Sequence, residues 1–349
     1  MVTLQDVAKK ANVSVMTVSR IINNPEKVKE STRLKVQKII EELGYHPNFL
    51  AKSLVQGNTK TIGVLYSNIY NQAYSDFIMG IDEYAYSKGY SIISTNVDNF
   101  DHAVQALNMI IGNRIEGLIV LPMEMSIVTR GNIDVSISEM SKFYRYLEMT
   151  LEKCKIKCVT VSEKINGAVS ISFDFTKMAE IAMDYLLERF TDITMISNVI
   201  IDGLWRDKEK VYIAKMEENG LSDKVRIVRE INTVQGGFSA MTEIIKSGKL
   251  PQAVFCANDV FAIGAVQSAL ANDVKIPEKV SIIGNDDVQF STMTFPQITT
   301  VSLNAKEAGK RSVRTLLKLV AGKNCEDKIM THSLVVRDSV KGDNKVATR

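Results

Sequence analysis

One short stretch near the N-terminus combines a cation with hydroxyl and apolar side chains that face outward from a predicted helix. Arg20 carries a guanidinium, and its planar set of donors can pair in bidentate fashion with the edge of a guanine. Val15 and Met16 have no hydrogen-bonding groups, so they can contact only groove shape and thymine methyl groups. Thr17 and Ser19 add hydroxyls to the same face. This combination indicates a surface that contacts the base edges of duplex DNA.

Two predicted helices and a tight turn position these side chains. The first helix begins at Thr3, whose hydroxyl can accept from the backbone amide near Asp6. Helical spacing predicts one buried face, formed by Leu4, Val7, Ala8 and Ala11. Asn12 tolerates the left-handed conformation that ends a helix, and Ser14 is a good N-cap for the second helix. That helix directs three apolar side chains inward, Val18, Ile21 and Ile22.

A third helix completes a small apolar core. Its stripe is Val36, Ile39, Ile40 and Leu43, and Gly44 is a typical C-terminal stop. Such a group of helices can exist without a ligand, but the charge distribution favours a nucleic acid. Residues 1–60 contain ten Lys or Arg and five Asp or Glu, whereas the remaining residues contain 33 and 35. A basic excess confined to one unit is typical of phosphate binding.

Several sequence motifs resemble those of one protein family. The first is T-L-Q-D-V-A-K-K-A-N-V-S-V-M-T-V-S-R-I-I-N at residues 3–23, followed by E-E-L-G-Y-H-P-N-F-L-A-K-S-L and T-I-G-V. Further along stand A-N-D-V-F-A-I-G-A at residues 257–265 and V-S-I-I-G-N-D-D, with F-P-Q-I-T-T-V behind it. In this order they resemble the LacI/GalR (lactose-repressor-like) family of bacterial transcriptional regulators. The resemblance is specific over residues 3–63 and continues more loosely to about residue 338.

The resemblance implies a set of DNA contacts. Val15, Met16 and Arg20 match the base-reading positions of the family's recognition helix, which enters the major groove. The other expected DNA-binding residues are Thr3, Ser14, Thr17, Ser19, Asn23, Asn48, Lys52 and Leu54. The expected partner is therefore a near-palindromic operator in duplex DNA.

Residues 47–60 form the expected hinge helix and linker. Pro47 blocks continuation of the third helix, Asn48 can cap a short new one, and Gly57 can end it. A helix of this length is too short to be stable alone in water. In the family this segment pairs with its dimer mate and inserts a leucine into the minor groove, and Leu54 occupies the matching position. The alternative is a solvated linker whose Leu54 packs on the body.

Beyond residue 60, short apolar runs alternate with helical segments, which is typical of parallel βαβ units. We predict strands at 62–66, 90–95, 117–121 and 158–161, and a second set at 169–173, 195–201, 225–231, 253–257 and 281–284. The predicted class is α/β, with a helix-turn-helix headpiece and a body of two doubly wound parallel sheets. The resemblance implies a periplasmic-binding-protein-like body whose last helix, residues 304–321, returns to the first subdomain.

The expected domain boundaries follow from this pattern. They are 1–46 for the headpiece, 47–60 for the hinge, 61–163 plus 292–322 for the N-terminal subdomain, and 164–291 plus 323–349 for the C-terminal subdomain.

The carboxyl ends of the predicted strands define a candidate ligand cleft, because open α/β sheets bind ligands there. Amides, carboxylates and one tryptophan follow those ends, a mixture that suits a polyhydroxylated solute. The expected effector-binding residues are Tyr66, Asn68, Tyr74, Met123, Trp205, Arg206, Lys208, Asn258 and Asp286. Asn258 and Asp286 also match the family's effector contacts. We therefore expect a sugar or a sugar derivative, bound between the two subdomains.

Several residues depart from the family pattern. The ring-rich run after the first strand is reduced to Tyr74, and Lys208 stands where the family has an arginine, with Arg206 near enough to substitute. A lysine is a point charge rather than a planar donor fork. Met178 replaces a glycine, Asn285 replaces an aromatic residue, and residues 123–158 carry no recognisable motif. An altered pocket keeps a second hypothesis open, in which a protein coregulator is the main signal.

A third hypothesis, an α/β enzyme with Asp259 or Asp286 as acid or base, has little support. The sequence has no nucleophile elbow, phosphate-binding loop, metal triad or dinucleotide fingerprint to accompany those carboxylates. The cysteines lack paired metal-ligand spacing and are expected to be reduced structural thiols, Cys154, Cys158, Cys256 and Cys325. We expect no enzyme activity, no metal and no cofactor.

The composition is typical of an intracellular regulator. Hydrophobic residues make up 45% and charged residues 24% of the 349 residues. No export signal or membrane-spanning run is recognised, so we expect a cytoplasmic protein with no membrane partner. The expected assembly is a homodimer that pairs through the body, since the tail has no leucine heptads for a tetramer. The direction of control, induction or corepression, stays open.

Overall fold

The computed structural model describes residues 2–45, 58–67, 72–123, 126–129, 132–135, 137–199 and 203–342. The chain divides into an N-terminal unit, Met1–Lys60, which contains the expected headpiece and hinge, and a second unit, Thr61–Arg349, which we call the body. Helices long and apolar enough to cross a membrane do not occur in the described ranges.

The described part of the headpiece is helical and follows the predicted caps. Its helices are α1 (Leu4–Ala11), α2 (Val15–Asn23) and α3 (Glu30–Leu43). Thr3 caps α1: its Oγ1 accepts from the Asp6 amide at 3.3 Å, and the Asp6 carboxylate accepts from the Thr3 amide at 2.8 Å. Asn12 is left-handed at φ 52°, and Gly44 ends α3 at φ 59°. The apolar stripes meet in one core, whose buried members are Val7, Ala8, Ala11, Val18, Ile21, Val36 and Tyr45.

The body is built from alternating strands and helices. Its strands are β1 (Thr61–Tyr66), β2 (Ser91–Asn96), β3 (Gly117–Val120), β4 (Ser126–Thr129), β5 (Asn132–Val135), β6 (Lys157–Val161), β7 (Ala168–Ser172), β8 (Ile193–Asn198), β9 (Ile227–Glu230), β10 (Ala253–Cys256), β11 (Ser281–Ile283), β12 (Thr300–Ser302), β13 (Lys328–Ile329) and β14 (Ser333–Val335). Its helices are α4 (Gln72–Ser87), α5 (Phe100–Gly112), α6 (Ile137–Cys154), α7 (Phe175–Leu187), α8 (Leu204–Glu218), α9 (Val234–Lys246), α10 (Asp259–Ala271) and α11 (Ala305–Val320).

Two parallel sheets organise the body. Among the described residues, six strands pair in the order β13-β7-β6-β3-β1-β2, and four pair in the order β11-β10-β8-β9. Strands β1, β3 and β8 are buried along almost their whole length, as expected when helices cover both faces of a parallel sheet. We call the six-stranded sheet with α4, α5, α6 and α11 the first lobe, and the four-stranded sheet with α7, α8, α9 and α10 the second lobe. The predicted α/β class is confirmed.

The strand pairing differs from the expected division in two places. Sequence reasoning assigned residues 164–291 and 323–349 to the second subdomain, but β7 and β13 belong to the six-stranded sheet. Strand β7 lies parallel to β6, with Ala168 opposite Cys158, and β13 lies beside β7. The Asp327 carboxylate holds this edge by accepting from the Ser170 amide at 2.9 Å. A local apolar pattern predicts a strand but not its partner, which tertiary packing selects.

The last long helix returns to the first lobe, as predicted. Helix α11 packs along α4, and two glycines allow the backbones to approach closely. An added Cβ at Gly80 would overlap the Lys306 carbonyl, and one at Gly309 would overlap that of Phe77. The start of α11 is therefore held beside α4.

The described parts of the segment 123–158, for which the sequence offered no motif, include two strands, one helix and the start of β6. Strands β4 and β5 pair in antiparallel fashion, and α6 follows. Helix α6 packs beside α5 and buries Phe143, Leu147 and Leu151 on that face of the first lobe.

Candidate nucleic-acid interface and ligand cleft

The turn between α1 and α2 determines where the outward helix begins. Ser14 Oγ accepts from the Thr17 amide at 3.1 Å, and the hydroxyls of these two residues lie 2.8 Å apart. This N-cap starts α2 at Val15, directly after the left-handed turn. The first turn of α2 therefore carries the side chains predicted to contact DNA.

Two apolar side chains and one guanidinium occupy the outer face of α2. Met16 is 71% exposed and Val15 is 41% exposed, although apolar residues of this size are usually buried. Arg20 is exposed one turn further along. Thr17 and Ser19 are half-buried rather than fully outward, and the Thr17 hydroxyl is turned toward the N-cap. The exposed face can offer methyl groups and one planar set of donors to a partner.

The structure describes only some of the other residues predicted to bind DNA. Thr3 is used by the α1 cap, where its hydroxyl donates to the Asp6 carboxylate at 2.7 Å. The Asn23 side chain and the hinge residues lie outside the described residues, the latter being Asn48, Lys52 and Leu54. The hinge helix therefore stays a prediction.

In the first lobe the side chains of Tyr66 and Tyr74 are both buried. Both side chains are buried in one apolar cluster with Phe77 and Phe173. Met123 is buried in the cluster of α5 and α6, on the opposite side of the sheet, so it is separated from the two tyrosines. Helix α4 packs in the cluster of the tyrosines, whereas α5 and α6 pack in the cluster of Met123. Asn68 lies outside the described residues.

Lys208 is a buried cation of the second lobe. Its side chain is 1% exposed, and Nζ donates to the Ala257 carbonyl at 2.7 Å, directly after β10. The ammonium lies 5.6 Å from the ring centroid of Phe175 and 6.0 Å from that of Trp205. Arg206, which sequence reasoning offered as a substitute, is exposed on the same helix. Lysine therefore takes the buried position at the end of the sheet.

Two carboxylates balance the charge of Lys208. Burial lowers the pKa of Lys208, whereas the charges of Asp286 and then Asp259 oppose that effect. Asp259 is itself completely buried, and its carboxylate accepts from the Thr300 hydroxyl at 2.6 Å and the Val288 amide at 2.9 Å. Burial raises the pKa of Asp259 to about 6 despite these hydrogen bonds. The carboxyl end of the second sheet thus holds one cation near two acids.

Asn258 and Trp205 lie near this cation, and both side chains already make contacts within the second lobe. Asn258 Oδ1 caps α10 by accepting from the Phe261 amide at 3.0 Å, and Nδ2 donates to Asn232 Oδ1 at 2.8 Å. Trp205 meets the Phe261 ring edge-on at a centroid distance of 6.2 Å. A ligand could contact the Trp205 ring, whereas the polar atoms of Asn258 already have protein partners.

A cavity of about 320 Å³ lies where the two lobes meet. The start of α4, the loop after β11 and the start of α11 enclose it, and Asp286 is the one predicted effector residue in its described lining. The backbone of Asp286 is at φ 128°, in the region that favours glycine. Nearby, Asp287 pairs with Arg337 at 2.5 Å, and burial followed by the Asp287 charge raises the pKa of Asp76. The cavity is therefore rich in carboxylates.

Sequence reasoning missed several aromatic residues near the cleft. The ring centroids of Phe77 and Phe173 lie 5.8 Å apart, and those of Phe173 and Phe175 lie 6.0 Å apart. His332 flanks Phe173 at 6.2 Å, and its Nε2 accepts from the Asp174 amide at 3.2 Å. Burial lowers the pKa of His332. Phe173 and Phe175 follow the end of β7, so a correct pairing of β7 would have pointed to them.

Known proteins resemble both units of the chain. Residues 3–48 match the family described as bacterial regulatory proteins, lacI family, and residues 190–340 match the periplasmic binding protein-like domain. Catabolite control protein A of Priestia megaterium is 30% identical over 348 residues, which cover 97% of this chain and 99% of that protein. The HTH-type transcriptional repressor PurR of Vibrio campbellii is 28% identical over an alignment of 351 positions. The alignment covers 98% of this chain and 99% of that protein.

The fold is similar to that of a solved repressor. The crystal structure of the Lac repressor dimer bound to operator and the anti-inducer ONPF has a TM-score of 0.77 and 23% identity, and the match covers 97% of this chain and 98% of that one. Because the similarity to the protein relatives runs through both units and nearly their full length, the chain belongs to the lacI family of bacterial regulatory proteins and is a DNA-binding transcriptional regulator.

Proposed function

We propose that this regulator is a repressor that binds a near-palindromic operator as a homodimer and answers to a small, sugar-like effector bound by the body. The observation that carries the operator half is the outer face of α2, where Val15 and Met16 are exposed beside Arg20. Thymine methyl groups in the major groove would cover the two apolar side chains, and a guanine edge would pair with the guanidinium. A chromosomal operator also implies a cytoplasmic location.

Arg20 is the residue whose replacement tests base reading. In Arg20→Ala we expect relaxed specificity at one base pair of each half-site, with a loss of about 1–3 kcal/mol of discrimination there. The measurement is competition binding among operators changed one pair at a time, starting from sites selected out of random DNA. Lys52→Ala is the control, because loss of a phosphate contact should weaken all operators alike. An unchanged order of operator preference in Arg20→Ala would contradict the assignment.

A deletion tests the division of labour between the two units. Removal of residues 1–58 should abolish operator binding and leave ligand binding by the body intact. The hinge proposal, with Leu54 as a wedge in the minor groove, predicts in addition that Leu54→Ala reduces the bend in bound DNA. A truncated body that still retained the operator at physiological salt would refute this division.

The effector half of the proposal is supported by a buried side-chain amide that has no hydrogen-bond partner among the described residues, that of Asn285, two residues after β11. Asn285 is fully buried, and neither polar atom of its side chain has a partner among the described residues. A buried polar group without a partner costs about 1–3 kcal/mol, so a ligand hydroxyl that paired with it would stabilise the body. A thermal shift screen with sugars and phosphosugars tests this half. A rise in Tm with one sugar at low concentration would support a sugar-like effector. No change in Tm with any sugar or phosphosugar tested would contradict it.

A protein coregulator is the second candidate signal, and the position of Lys208 favours it. Its ammonium already lies against the rings of Phe175 and Trp205, which are the apolar surfaces that a sugar would stack on. A coregulator that bound the outside of the body would not compete with this side chain.

A further inference from the structure

The ammonium of Lys208 lies in the second lobe, against the last rings of an aromatic row that begins in the first lobe. In this row, Phe77 of α4 lies 5.8 Å from Phe173, and Phe173 lies 6.0 Å from Phe175. The Lys208 Nζ atom follows at 5.6 Å from the Phe175 centroid and 6.0 Å from the Trp205 centroid. The row therefore runs from the first lobe into the second, and the ammonium lies between its last two rings, those of Phe175 and Trp205.

The surroundings of this ammonium are those of a bound alkylammonium ligand. Proteins recognise such cations with aromatic faces, supported by carbonyl or carboxylate oxygens. Here the rings are those of Phe175 and Trp205, and the Ala257 carbonyl accepts from Nζ at 2.7 Å. The side chain is 1% exposed and lies beyond the carboxyl end of a parallel strand, the edge at which α/β folds hold ligands. The lysine thus makes the contacts that a separate ligand would make.

We propose that Lys208 is a built-in ligand of the body: its ammonium fills the ring-lined site and fixes the Phe175 ring, which contacts Phe173 of the first lobe, so that it holds the two lobes in the arrangement that sets operator affinity. The effect on operator affinity rests on the proposed function, whereas the occupation of the site by the ammonium does not. The site is then occupied without any small molecule, so a sugar must displace the ammonium to act there. A coregulator outside the cleft need not displace it.

A truncated side chain tests whether the site recognises an ammonium. Lys208→Ala removes three methylenes and the amine. The space that remains matches n-propylammonium in shape, and its lining favours a positive charge. In the full-length variant we expect n-propylammonium chloride to raise Tm by roughly 3 °C at about ten times its dissociation constant. It should also change the emission of Trp205, the one tryptophan in the chain. The wild type should show neither response, because its own lysine fills the site.

Matched controls separate ammonium recognition from general effects. Lys210→Ala, on the same helix with a side chain 68% exposed, should not respond to n-propylammonium. Sodium chloride at equal concentration controls for ionic strength, and n-propanol controls for filling of a cavity by a neutral chain. An equal response of Lys208→Ala to n-propanol and n-propylammonium, or no response of the folded variant, would overturn the inference. If the variant does not fold alone, only n-propylammonium should restore its folding.

Operator binding tests the regulatory part separately. The operator affinity of Lys208→Ala should change at least about fivefold when n-propylammonium is added, and that of the wild type should not change. Stabilisation without any change in operator affinity would overturn the claim that Lys208 sets the DNA-binding state. If the wild type binds no operator at all, the proposed function fails, while the thermal and emission measurements still decide whether Lys208 acts as a ligand.

Discussion

At the scale of single residues, Asp259 is the point where several segments of the second lobe meet. Its carboxylate accepts from the Thr300 hydroxyl at 2.6 Å and the Val288 amide at 2.9 Å, and its own amide donates to the Asn285 carbonyl at 2.8 Å. The side chain is completely buried, and burial raises its pKa to about 6. The folded protein therefore holds this proton more tightly than the unfolded chain, whose aspartates titrate near an ordinary pKa of about 3.9.

The raised pKa predicts a pH-dependent stability. Between about pH 4 and pH 6 the unfolded chain has lost the Asp259 proton while the folded chain still holds it, so the free energy of unfolding falls as the pH rises. The contribution is fully present below the ordinary pKa and is lost as the pH passes the folded value. At about 1.4 kcal/mol for each pKa unit, the total loss is roughly 3 kcal/mol.

Urea unfolding, followed by the emission of Trp205, measures this effect. Asp259→Asn cannot titrate at this position, so between about pH 4 and pH 6 its unfolding free energy should rise relative to that of the wild type by roughly 3 kcal/mol. Parallel curves for the two proteins would show that other groups cause the pH dependence.

At the scale of elements, the contact between α4 and α11 brings together two sides of the cavity between the lobes. The close approach relies on Gly80 and Gly309, since a Cβ at either position would overlap backbone atoms of the opposite helix. At the same contact Glu83 pairs with Lys310 at 3.0 Å and with Lys306 at 2.5 Å, and both lysines also line the cavity. The geometry of the cavity thus depends on the distance between these helices.

We expect Gly80→Ala to force α4 and α11 apart. Overpacking of this kind typically costs about 1–3 kcal/mol of unfolding free energy, which urea unfolding would detect. Gly112→Ala is the matched control, because an added Cβ at the end of α5 meets no atom within 4 Å. Equal stability of the two variants would mean that the helices tolerate the extra methyl group.

At the scale of the whole molecule, one loop of the body exposes several large apolar side chains. Phe290, Met293 and Phe295 are 51%, 64% and 87% exposed. Apolar patches of this kind are typical of protein interfaces. The near-palindromic operator of the proposed function requires two headpieces related by a two-fold axis. We propose that a second copy of this chain covers the loop.

A charge at the centre of this loop should weaken the dimer. In Phe295→Glu we expect the dimer dissociation constant to rise about ten- to a hundredfold, because buried aromatic residues dominate interface energies. Operator affinity should fall with it, since the two headpieces would no longer bind together. Sedimentation across a range of concentrations measures the first effect. Met149→Glu, on α6 with its side chain 63% exposed, is the control; equally tight dimers in both variants would place the interface elsewhere.

The sequence by itself determined the local structure of the headpiece and the class of the body. The caps at Thr3 and Ser14 and the left-handed turn at Asn12 involve residues only a few positions apart, so composition and spacing were sufficient to predict them. The alternation of apolar runs with helices likewise predicted a parallel α/β body, because strands covered on both faces must be apolar. Residues 46–57, which include most of the hinge predicted at 47–60, fall outside the described structure, and the hinge helix stays a prediction.

Only the tertiary structure decided which side chains share the cleft. It placed β7 in the first sheet, separated Met123 from Tyr66, and set the Lys208 ammonium against the Phe175 ring. Each of these outcomes depends on which strands pair and which faces pack, over separations that local periodicity does not encode. Lys208 illustrates the reason: a charge can be buried only where rings, a carbonyl and carboxylates from distant segments converge to compensate for the lost hydration.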